Sequence, residues 1–105
     1  MGLLSFLFGS GNNKLENIKI ALNAGALIVD VRSSTEYASG HVKGSINMPL
    51  PTLQSGLKKL KNASSVVLCC RSGARAASAQ SILSSQGIQS INAGSWQNVE
   101  RALKN

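Results

Sequence analysis

The stretch Ser64-Ser65-Val66-Val67-Leu68-Cys69-Cys70-Arg71-Ser72-Gly73-Ala74-Arg75 decides how the rest of the chain is read. Val66, Val67 and Leu68 form a short apolar run with β-branched residues, bounded by serines, which predicts a buried strand. Ala74 to Gln86 is rich in helix formers and ends at Gly87, a natural C-terminal stop. A strand feeding a helix through so short a turn aims successive backbone N–H groups, and the positive end of the helix dipole, at one point in space. That point favours an anion. A cysteine placed there favours its thiolate, with a pKa lowered into a range of roughly 3.5–7.5. Arg71 and Arg75 add permanent positive charge. The stretch is suited to hold a reactive sulfur beside a negatively charged substrate.

At 105 residues the chain has room for one core but not two. Its net charge of +7 comes from eleven Lys and Arg against four Asp and Glu. That balance suits a nucleic acid, a membrane surface or a small anion. The basic residues form no arm, the one dense group is Lys58, Lys59 and Lys61, and aromatics are too few for stacking platforms, which argues against nucleic acid. The two cysteines are adjacent, so they cannot staple distant segments. His41 is the single histidine, and no second ligand group lies at zinc spacing, so neither a metal site nor a disulfide framework is expected. Unpaired thiols fit a reducing compartment such as the cytoplasm.

Met1 to Phe8 is apolar and gives way to Gly9-Ser10-Gly11-Asn12-Asn13, so residues 1–13 read as an apolar segment and linker ahead of a domain over 14–105. The segment is too short to span a bilayer and lacks the basic start of a signal peptide. Phe6 occupies the position where an N-terminal acylation motif wants Ser or Thr. A segment packing on the domain or a partner is the expectation, with a membrane foot as the sharper alternative. Leu15 to Ala24 shows helical spacing, stopped by Gly25. Ala26 to Arg32 is a near-continuous apolar run, as in a strand buried on both faces of a parallel sheet. Its charges, Asp30 and Arg32, fall at the carboxyl end, where open α/β sheets gather ligands; pairing or capping the loop is the plainer role.

Ser33-Ser34-Thr35-Glu36 is a capping box opening a short helix towards Gly40. His41, between Gly40 and Gly44, could serve as a general base, but in such a turn a histidine more often fixes the backbone. Ser45 to Met48 predicts a brief strand. Leu53, Leu57 and Leu60 line one helical face, with the lysines on the solvent side. Gln89 to Ala93 predicts a last strand, followed by a helix from Trp96 with Val99, Ala102 and Leu103 on its apolar side. Strands alternating with helices imply βαβ units and a mostly parallel sheet. Four strands are visible, and a fifth near the N-terminus fits the pattern without a clear position.

Taken in order, Asp30-Val31-Arg32, Glu36-Tyr37, the run from Gly40 to Pro49, Cys70 to Arg75, and Ala93-Gly94 before Trp96 resemble a single-domain rhodanese. Rhodaneses are sulfurtransferases that carry sulfane sulfur as a cysteine persulfide. The resemblance spans Ala26 to about Trp96. It implies an α/β three-layer fold with a central parallel sheet of four to five strands flanked by helices. It further implies Cys70 as nucleophile, with Arg71, Ser72, Gly73, Ala74 and Arg75 cradling the anion, and Asp30, Arg32 and His41 framing the site. No cofactor is implied. The substrates would be a thiosulfate-like donor and cyanide, a thiol or a protein as acceptor, acting on a monomer or weak homodimer. Two features depart from the family: the segment ahead of Leu15 shows no clear first strand, and Cys69 is an extra thiol.

Counted from Cys69, Arg75 lies where a cysteine-based phosphatase or arsenate reductase wants its arginine. That pattern usually has His before the cysteine and Ser or Thr after the arginine, and here those positions hold Leu68 and Ala76. Strand alternation points Cys69 and Cys70 to opposite sides, so only one can face the cradle. A relay or protein-interaction module without catalysis is the remaining alternative.

Overall fold

Val66–Cys70 forms a strand in which all five residues are buried, and every other element is laid against it. The computed structural model describes residues 13–104. Within them run α1 (Lys14–Asn23), β1 (Leu27–Asp30), α2 (Ser34–Ala38), β2 (Ile46–Asn47), a 3₁₀ helix (Leu50–Leu60), β3 (Val66–Cys70), α3 (Ala74–Ser85), β4 (Ser90–Ser95) and α4 (Trp96–Lys104). The strands pair in parallel in the order β2-β1-β3-β4. Parallel strands need crossover connections, and the helices between them put apolar faces on both sides of the sheet.

Side-chain alternation along β3 divides the core in two. Val66, Leu68 and Cys70 face one cluster, with Leu53, Leu57 and Leu60 of the 3₁₀ helix and Ala76, Ala79 and Leu83 of α3. Val67 and Cys69 face the other, with Ile18 and Ala21 of α1 and Val99 and Ala102 of α4. The result is the expected three-layer α/β fold with four strands among the described residues. The fifth strand considered near the N-terminus, and the role of the apolar segment Met1 to Phe8, fall outside the described residues. Asn13, read from the sequence as linker, instead caps α1: its side-chain oxygen accepts from Glu16 N–H at 3.0 Å.

Three local readings change. The leucine-lined segment before β3 is a 3₁₀ helix rather than an α-helix. A run holding Pro51, Thr52, Ser55 and Gly56 has little intrinsic α preference, so its shape follows the seating of the three buried leucines on the sheet. Leu103, expected on the apolar side of α4, is 52 % exposed, because Val99 and Ala102 take the buried face. β3 runs on through both cysteines, beyond the Val66 to Leu68 run read as the strand, so the active turn begins at Arg71.

Candidate active site

The turn Arg71–Gly73 joins β3 to α3, and Gly73 caps the helix at φ +110, a left-handed conformation open to glycine. A Cβ on Gly73 would also stand 3.3 Å from the Cα of Gly94, so the turn packs backbone to backbone on β4. This closeness brings the helix N-terminus over the end of β3. The N–H of Gly73 donates to the Cys70 Sγ at 3.0 Å.

Burial acts to raise the Cys70 pKa, but N–H groups of Ala76, Gly73, Ser72 and Arg75 oppose it and leave the thiol below its ordinary value. Cys69, one residue away, is held up to about 12 by burial, with Asp30 adding to it. Both cysteines are buried, so exposure does not separate them; the face does. Cys70 meets the amide nest, whereas Cys69 packs among Ile18, Val67 and Val99 on the opposite side of the sheet. A phosphatase-type loop counted from Cys69 would place its nucleophile in that core, away from the amides.

Arg71, Ser72 and Ala74 are exposed along the turn, and Gly73 and Arg75 are partly covered. Arg75 is less free than the sequence suggests. Its guanidinium grips the Glu36 carboxylate through Nη1–Oε1 at 2.7 Å and Nη2–Oε2 at 3.1 Å. Glu36 is also the capping-box residue of α2, accepting Ser33 N–H at 3.0 Å while Ser33 Oγ accepts Glu36 N–H at 3.2 Å. The cap therefore fixes the carboxylate that fixes the arginine. Arg75 also borders an apolar cleft of about 450 Å³ walled by Val31, Pro49, Leu50 and Pro51. It lies beyond the carboxyl ends of β1 and β2, where α/β sheets usually bind ligands.

Arg75 first, then Ser33, holds the Glu36 carboxylate down at about 2 from an ordinary 4.5. A depressed carboxylate contributes stability that is complete above the unfolded value and is lost as pH falls through the folded one. Unfolding monitored between pH 4.5 and 2 is accordingly expected to show a falling stability that Glu36→Gln flattens. An unchanged acid slope in that variant would contradict the pairing.

Asp30 and Arg32 are brought to each other, not to the sulfur. Arg32 donates to the Asp30 carboxylate from its backbone N at 3.0 Å, from Nε at 2.9 Å and from Nη2 at 2.7 Å, with both residues buried. The same guanidinium donates to Gly40 O at 2.7 Å and lies 4.9 Å from the ring centroid of Trp96. The pair thus ties the end of β1 to the Gly40 turn and to the start of α4. His41 likewise serves its own turn: Nδ1 donates to Tyr37 O at 2.7 Å, and the two rings stack at 3.7 Å. Asn47 and Asn92 were not singled out by sequence reasoning. Asn47 donates to the carbonyls of Asp30 and Arg32, and Asn92 reaches the active turn. Asn47 stood in plain view within the run ending at Pro49, whereas nothing around Asn92 marked it. Among the described residues no three His, Cys, Asp or Glu side chains gather as a metal site would need, and no helix is long and apolar enough to cross a membrane.

A cysteine at the end of a central parallel strand, capped by a helix N-terminus and amide nest within a three-layer α/β fold, is an anion-binding cysteine site of the kind sulfurtransferase domains carry. The chain belongs to the rhodanese family: residues 13–102 match the rhodanese-like domain. A sulfurtransferase of Allochromatium vinosum is 30% identical over 69 residues, 66% of this chain and 64% of the relative, so the chain spans somewhat under two thirds of that protein's length. Among solved structures, reduced CoADR-RHD of Bacillus anthracis is 27% identical with a TM-score of 0.70, over 86% of this chain but 16% of that much longer one. The rhodanese-like domain protein of Staphylococcus aureus is 25% identical with a TM-score of 0.70, covering 81% of this chain and 86% of its own. A rhodanese with anions from E. coli is 28% identical with a TM-score of 0.65, covering 70% and 91%.

Proposed function

We propose that the protein moves sulfane sulfur from thiosulfate or a similar anionic donor to cyanide or a thiol, through a persulfide on Cys70. The observation that carries this is the Cys70 sulfur lying in a nest of main-chain amides, with Gly73 N–H at 3.0 Å. Family membership adds to it. In the first half-reaction the Cys70 thiolate attacks the outer sulfur of thiosulfate. A bond forms between the two sulfurs, the sulfur–sulfonate bond breaks, and sulfite departs with the electron pair. The N–H groups that stabilise the thiolate are also placed to stabilise charge on the persulfide. In the second half, cyanide or a thiolate attacks the outer persulfide sulfur, and Cys70 leaves as the thiolate.

Cys70 itself has no exposed surface, and its exposed chain neighbours are Arg71 and Ser72. Arg71 offers an exposed positive charge for the incoming anion, and Arg75 is paired with Glu36. The reduced, unpaired cysteines suit a reducing compartment such as the cytoplasm. A protein thiol is a further acceptor class, served by the apolar cleft beside Arg75. The test is thiocyanate formation from thiosulfate and cyanide with both concentrations varied. Parallel double-reciprocal lines are expected for double displacement. No thiocyanate from any sulfane donor would leave a non-catalytic module as the reading.

A further inference from the structure

Asn92 sits where β4 departs from regular pairing. Leu68 of β3 lies opposite Asn92, but Cys70 lies opposite Ser95, so β4 carries one extra residue between the two pairs. The Asn92 side chain spans this bulge. Its Oδ1 accepts from Gly94 N–H at 2.8 Å, and its Nδ2 donates to Gly73 O at 2.9 Å. Only one orientation of the amide satisfies both contacts, since Gly94 offers a donor and Gly73 an acceptor. The Gly73 carbonyl also accepts from Ala77 N–H at 2.9 Å, the first backbone bond of α3.

Gly73 is therefore gripped on both sides. Its N–H is on the Cys70 sulfur, and its carbonyl is pinned to β4 and to the helix. A glycine at φ +110 has wide backbone freedom, so something outside the turn must choose its conformation. The helix bond alone fixes Gly73 to α3 but not α3 to the sheet end that carries Cys70. The Asn92 side chain adds a directed hydrogen bond from β4 to the Gly73 carbonyl, beside the close packing of Gly73 on Gly94.

We propose that Asn92 is a positioning residue for the Cys70 thiolate, clasping Gly73 so that the amide nest stays closed on the sulfur. The proposal rests on Cys70 being the reactive thiol, but its test needs neither donor nor acceptor. Cys70 ionisation is followed by ultraviolet thiolate absorbance across pH, in a Cys69→Ala background so that one thiol reports. Asn92→Ala removes both contacts. Asn92→Ser keeps an oxygen for Gly94 N–H, as serine does in such turns, but is too short to reach Gly73. It retains the bulge and so guards against loss of fold. The ionisation midpoint is expected to rise by roughly half a pH unit or more in both, as for a thiolate losing part of a helix-terminus and amide environment.

A melting temperature that falls while the midpoint stays put would reduce Asn92 to a structural tie and overturn the proposal. So would a shift in Asn92→Ala that Asn92→Ser does not share. Failure here leaves the sulfur-transfer reading untouched if thiocyanate is still made. A raised midpoint in a protein that makes no thiocyanate would sink the transfer reading and leave the clasp standing.

Discussion

Replacing Cys70 with alanine is expected to lower thiocyanate formation by at least about three orders of magnitude, because covalent transfer through one atom leaves no second route. Serine at the same position should do no better. Its hydroxyl would stay protonated in the nest, and an oxygen cannot carry sulfur as a persulfide does. Cys69→Ala should keep activity within a few-fold of the parent. That sulfur faces α1 and α4, and burial holds it protonated with a pKa of about 12. The contrast isolates the geometric claim, since the two residues share sequence neighbourhood, strand and burial and differ in the face they occupy. If Cys69→Ala abolished turnover while Cys70→Ala spared it, the nucleophile would have to move across the sheet.

Asp30→Ala is expected to cost about 3–5 kcal/mol of folding stability, because it strands a buried guanidinium without its counter-charge. Arg32 is 5 % exposed and Asp30 is fully buried, so water cannot take the carboxylate's place without opening the fold. The variant also frees the guanidinium that links Gly40 and Trp96. Domains of this size are stable by about 5–15 kcal/mol, so the loss should appear as a melting temperature more than about ten degrees lower. The double variant Asp30→Leu with Arg32→Met should recover much of it, since an apolar pair of similar volume does not bury an unpaired charge. A loss under about 1 kcal/mol in chemical denaturation would mean that the pair is solvated, contrary to the geometry. On the proposed sulfur-transfer reading Asp30 and Arg32 act only through this frame, so residual activity per folded molecule should change less than stability does.

Much of this arrangement was legible because period and punctuation are local properties. The apolar run into Cys70, the helix formers after it and Gly87 together announce a strand, a turn and a helix. Alternation alone puts Cys69 and Cys70 on opposite faces, and the structure shows them there. The family resemblance supplied the central parallel sheet flanked by helices. What stayed hidden were contacts between distant segments. Glu36 reads as a capping-box residue and Arg75 as an anion ligand, yet they meet across 39 positions of sequence, and each changes the meaning of the other. Asn92 gives no sign of its importance within its own strand, because its role depends on a bulge and on Gly73, 19 residues earlier. The 3₁₀ shape of Leu50–Leu60 escaped because leucines spaced by four and then three residues carry the α-helical period. Leu103 misled because an apolar side chain at helical spacing is not obliged to be buried.

The central claim is that one sulfur, Cys70 Sγ, accepts the transferred atom. Mass measurement of the protein after thiosulfate treatment, with the peptide carrying Cys69 and Cys70 fragmented between them, tests it directly. One added sulfur located on Cys70, and discharged by cyanide, is the result expected. The same added sulfur on Cys69, or none on either residue under conditions where thiocyanate forms, would contradict it.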